Sequence, residues 1–105
     1  YNSQNILLTL LNNSKIISSQ KMAIDVQKNM LYELRKIYGK KSIIDGGVRE
    51  APFWVLVGAQ MPAVLVELGY ISHPTESKRL RDKNYQKKLA RGIAKGIIDY
   101  FKHNQ

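Results

Sequence analysis

The chain has 105 residues and a formal net charge of +9. That length holds one small domain, and a hydrophobic content of 44% argues against a disordered tract. No apolar stretch approaches the roughly 20 residues of a bilayer-spanning helix, and with no cysteine neither a disulfide nor a thiolate metal site can form. The positive excess points to an anionic environment or partner, whether nucleic acid, lipid headgroups or a cell-wall polymer, without choosing among them. The opening Tyr1-Asn2-Ser3-Gln4 has neither an initiator methionine nor the basic and apolar regions of a signal peptide. It reads as a processed product or as part of something longer.

In chain order, Ile6, Leu7, Leu10 and Leu11 recur at helical spacing and predict a helix over 3–12. A longer helix is predicted from about 19 to 38, with Ser18 or Ser19 as its cap. Its apolar stripe is Met22, Val26, Met30, Leu34 and Ile37, and Gly39 is its stop. A loop over 40–52 contains Asp45-Gly46-Gly47. Two strands are predicted, 53–57 and 63–67, then a loop over 69–74, a short helix over 75–80 and a last helix over about 84–101. In that helix Leu89, Ile93, Ile97 and Phe101 form the expected buried stripe, with Lys87, Lys88, Arg91 and Lys95 facing water. Strand 53–57 lacks one-sided alternation, so both faces want cover, and a two-stranded unit is marginal in water. More strands are therefore expected than these two.

The segment Met61 to Glu76 says most about chemistry. The apolar run Ala63 to Val66 reads as a strand buried on both faces, and it ends on a carboxylate, Glu67, with Gly69 two residues on. An unpaired buried carboxylate is costly, and ligands of open α/β sheets sit beyond the carboxyl ends of strands. Glu67 is thus the first candidate for acid–base work. The competing reading is a structural carboxylate paired with an arginine or with backbone amides.

Phe53-Trp54-Val55-Leu56-Val57 followed by Pro62-Ala63-Val64-Leu65-Val66-Glu67-Leu68-Gly69-Tyr70-Ile71-Ser72 resembles the closing half of the zinc-dependent N-acetylmuramoyl-L-alanine amidases of the amidase-3 type. Glu76, Leu80, Gln86 and the closing Gly96-Ile97-Ile98-Asp99-Tyr100 continue the likeness. It is close over about 45–101 and looser over 5–38. The resemblance implies an α/β fold, with helices packed on a mixed β-sheet of which this chain holds the last strands and helices. Residues 1–105 would then be the C-terminal portion of a single catalytic domain. The implied activity cleaves the amide between N-acetylmuramic acid and L-alanine of the peptidoglycan stem, with zinc-activated water and Glu67 as general base. The implied partners are peptidoglycan and the missing N-terminal half of the domain, with no nucleic acid and no membrane span. The implied location is periplasmic or secreted.

In the resembled family the zinc ligands are His, Glu and His from the first half of the domain, and no words that carry them occur in this chain. The chain's two histidines, His73 and His103, lack the local spacing of a metal motif, and His73 stands where the family usually has asparagine. No metal ligand is assigned, and the chain alone is expected to be inactive. In Asp45-Gly46-Gly47-Val48-Arg49 the resemblance places a loop bordering the substrate groove. Arg49 either meets a stem-peptide carboxylate, which its fork suits, or is simply solvated. The run Lys78, Arg79, Arg81, Lys83, Lys87, Lys88, Arg91 and Lys95 is either a solvated helix face or a footprint for an anionic polymer. The alternative function is therefore a non-enzymatic basic module that binds an anionic surface, cell wall or nucleic acid.

Overall fold

The computed structural model describes residues 13–41, 43, 47, 48, 59 and 61–104. Within them lie α1 (Asn13–Tyr38), α2 (Pro74–Arg81) and α3 (Lys83–His103). In α1 the apolar residues Met22, Val26, Met30 and Leu34 follow one another at four-residue spacing and line one face. Arg35 and Lys36 sit in the last turn, where cations favour the negative end of the helix dipole. Gly39, with φ of +80°, ends the helix, and its N–H donates to Arg35 O at 2.9 Å. The expected start near residue 19 is too late. Ser19 lies inside α1, and its hydroxyl donates back to Lys15 O at 2.6 Å, the i−4 bond a helical serine makes when it is not a cap.

Asp82 serves two helices. Its N–H donates to Arg79 O at 3.0 Å at the end of α2, and its Oδ1 accepts from Asn84 N–H at 2.8 Å as the N-cap of α3. α2 opens with Pro74 in its first turn, where the missing N–H costs nothing.

α1 and α3 pack directly on each other. Gly92 and Gly96 allow the close approach: a Cβ on Gly92 would lie 2.7 Å from Met30 Cα, and one on Gly96 would run into Val26 Cα. This contact sets which face of α3 is inside. Tyr85, Leu89, Gly92, Gly96 and Tyr100 are buried, whereas Ile97 and Phe101, expected in the stripe, are 38% and 57% exposed. The core joins Val26, Met30, Leu34, Ile43, Tyr85 and Leu89, with Val66 and Leu80 packed against it.

The expected α/β architecture, helices packed on a mixed β-sheet, is corrected by the structure. Among the described residues there is no strand, and the layer is helix on helix. Segment 63–67, expected as a strand buried on both faces, is irregular chain whose residues are half-buried or exposed. The expected strand 53–57 and helix 3–12 lie outside the described residues. Apolar content says that a segment seeks cover; a strand also needs a neighbour to pair its N–H and C=O groups. Segment 61–70 finds side-chain partners instead. Ala63 N–H donates to Ser19 Oγ at 2.9 Å, and Leu68 O accepts from the Tyr85 hydroxyl at 2.9 Å.

Candidate functional site

Glu67 lies on this anchored irregular segment. Before it, Val66 packs on the helical core; after it, Leu68 is held through its carbonyl by Tyr85 of α3. Gly69 follows with φ of +152°, a backbone conformation that suits glycine, and Tyr70 N–H donates to Glu76 Oε1 at 3.4 Å. The chain on both sides of Glu67 is therefore tied down while Glu67 itself is exposed. Among the described residues its carboxylate makes no ion pair. Burial pushes the Tyr85 phenol above its ordinary value, against a smaller opposing pull from Arg79 and with smaller upward contributions from Tyr38 and Glu76. It thus remains a hydroxyl donor to Leu68 at neutral pH.

His73 is a helix cap: its Nδ1 accepts from Glu76 N–H at 3.4 Å and lies 3.6 Å from Glu76 Oε2. His103 stands at the far end of α3 with Nδ1 3.6 Å from Asp25 Oδ2. The structure does not bring the two histidines together. Among the described residues no three His, Cys, Asp or Glu side chains converge to hold a metal ion, so these residues do not fit the zinc that the resemblance implies. Arg49, with Asp45 and Gly46, lies outside the described residues. An open depression of about 1060 Å³ occurs elsewhere, lined in part by Gln27, Lys28, Tyr32, Arg35 and Val48; Glu67 does not line it.

Two residues of the exposed basic run, Arg91 and Lys95, also meet a buried carboxylate. Arg91 Nε lies 3.6 Å from Glu33 Oε1 and Lys95 Nζ 3.7 Å from Glu33 Oε2, and Lys36 Nζ approaches Oε2 to 3.2 Å. Glu33 is fully buried. Burial raises its carboxyl, but the Lys36 hydrogen bond and the charges of Lys36, Lys95 and Arg91 outweigh this and hold it below the usual carboxylate range. The sequence reading missed Glu33. Its signal was register: three residues after Met30 and seven after Val26, it falls within the apolar arc of α1.

Residues 5–99 match the family described as N-acetylmuramoyl-L-alanine amidase. Among curated relatives, the Bacillus subtilis protein YqiI is 34% identical over 80% of this chain and 37% of its own length. The Staphylococcus epidermidis protein named probable cell wall amidase LytH is 33% identical over 73% of this chain and 27% of its own length. The N-acetylmuramoyl-L-alanine amidase AmiA of Escherichia coli is 35% identical over 73% of this chain and 28% of its own length. The chain thus spans well under half the length of these relatives. No solved structure matches.

Proposed function

We infer that this chain, which belongs to the amidase-3 family of N-acetylmuramoyl-L-alanine amidases, works as the C-terminal portion of a peptidoglycan amidase domain. The bond cleaved is the amide between N-acetylmuramic acid and L-alanine of the stem peptide. Glu67 is the general base. Its carboxylate takes a proton from the attacking water and returns it to the leaving amine, so the carboxylate ends as it began. Arg49 meets a carboxylate of the stem peptide. What carries the reading is the family match spanning Glu67, together with the exposure of that carboxylate on a segment held at Val66 and Leu68.

The described residues supply no site for zinc, so the part given to Glu67 is proton transfer alone. Residues 1–105 by themselves are expected to be inactive, with two histidines and no cysteine in the sequence and no ligand set to complete a hydrolytic metal centre. The substrate lies outside the cytoplasm, which places the working protein in the periplasm or among secreted proteins. No helix among the described residues is long and apolar enough to cross a membrane.

The test is Glu67→Gln in the full polypeptide, with release of dye from labelled peptidoglycan as the readout. Turnover should fall by about 10²-fold or more at an unchanged melting temperature. An unchanged rate with a lowered melting temperature overturns the assignment.

A further inference from the structure

We propose that Lys36, Arg91 and Lys95, gathered on the buried carboxylate of Glu33, form a binding site for oxyanions, the carboxylate or phosphate groups of a cell-wall polymer. The nature of that polymer rests on the amidase reading; the site itself rests on geometry. Three cations converge on one carboxylate at 3.2, 3.6 and 3.7 Å. The three positive charges outnumber the carboxylate they meet by two; the next carboxylate, Asp99, lies one turn along α3 from Lys95 and accepts from Asn29 at 3.1 Å. A balanced structural ion pair has no such excess.

The donors are also positioned to be shared. The side chains of Lys36, Lys95 and Arg91 are 45%, 42% and 60% exposed, while that of Glu33 is fully buried. The carboxylate therefore sits beneath the cations and leaves their outer sides in water. Among the described residues Glu33 Oε1 has no hydrogen-bond partner. Arg91 is held to it by charge at 3.6 Å, which leaves guanidinium donors for a second anion. Guanidinium groups suit carboxylate and phosphate equally. Long side chains lose freedom when they bind; here Glu33 has already gathered the three heads, so less of that loss remains for the ligand.

Single-stranded nucleic acid is the less favoured occupant. It needs open aromatic faces for base stacking. The neighbouring exposed aromatic, Tyr32, has the ammonium of Lys36 over its ring at 4.4 Å.

The experiment measures binding of the full polypeptide that carries residues 1–105 to poly-L-glutamate and to inorganic polyphosphate near physiological salt, by calorimetry. It compares two double variants of equal charge, R91Q/K95Q and K83Q/K102Q. Each removes two charges from α3, from +9 to +7 (9 − 2), but only the first touches the Glu33 cluster. R91Q/K95Q should weaken binding to at least one probe by about tenfold or more, and that probe identifies the oxyanion; K83Q/K102Q should weaken it by no more than about threefold. Equal weakening by the two variants, or no binding by the unaltered chain, overturns the site, as does an oligonucleotide bound more tightly than both probes. Should R91Q/K95Q fail to fold by circular dichroism, Lys36→Gln on α1 replaces it, with Lys28→Gln as its control and the same criterion. Because nothing is hydrolysed, failure here leaves the role of Glu67 standing, and loss of the Glu67 assignment leaves this site standing.

Discussion

The hydroxyl of Tyr85 donates to the carbonyl oxygen of Leu68 across 2.9 Å. One buried side chain of α3 thereby holds the residue that follows Glu67, while its ring packs edge-on against Tyr38 of α1 at a centroid distance of 5.9 Å. The position of the exposed carboxylate is thus coupled to the helix pair beneath it.

Tyr85→Phe keeps the ring and removes the donor. Stability should fall by about 0.5–1.5 kcal/mol, the net contribution of one hydrogen bond. Amide exchange at Leu68 and Gly69 should quicken more than exchange in the middle of α3. A uniform change across the chain would show that the hydroxyl does not anchor this segment.

Gly96→Ala sets two effects against each other. Alanine is better than glycine inside a helix by about 1 kcal/mol. The new methyl, however, would run into the backbone of Val26, and overpacking of this kind costs about 1–3 kcal/mol. A backbone neighbour cannot rotate away, so the steric effect should win and the urea midpoint should drop. A raised midpoint would mean that α1 and α3 are further apart than described.

Glu33 gives stability a defined pH dependence. Its folded-state pKa is lowered from the ordinary glutamate value of 4.5. The unfolded chain therefore takes up the proton first as pH falls. The contribution is fully present well above 4.5 and is lost as pH drops through the folded value. Urea unfolding at pH 7 and pH 3.5 should show this loss, and Glu33→Gln should reduce the difference between the two. An identical pH dependence in the variant would refute the linkage.

Asp82→Ala removes a cap whose Oδ1 accepts from Asn84 N–H at 2.8 Å and should cost about 1 kcal/mol. His73→Ala removes a longer bond of 3.4 Å at the start of the short α2, and should cost less. Thermal melts of the two variants give the order directly; the reverse order would contradict it.

The three described helices were legible because a helix is a local object. The four-residue recurrence from Met22 to Leu34 and the stop at Gly39 each act within a turn or two of chain, whereas Pro74, expected in the loop over 69–74, opens α2. Glu67 was legible as a carboxylate closing an apolar run, and the wording around it pointed to the family that the match over residues 5–99 shows. Its exposure was not legible. It depends on Ser19, 44 positions from Ala63, and on Tyr85, 17 positions from Leu68.

The sequence by itself determined where the described helices lie, though not where the first begins, and with them the family and the candidate carboxylate, since each is written in neighbouring residues. The tertiary structure alone decided three other things. Segment 63–67 is irregular rather than a strand, because strand formation depends on a pairing partner and not on apolar content. Tyr100 of α3 is inside and Phe101 outside, because the Gly92 and Gly96 contacts choose the face. Glu33 is buried under Lys36, Arg91 and Lys95, because a buried carboxylate needs opposite charge to meet it, and the charges of Arg91 and Lys95 reach it only after α1 and α3 have packed.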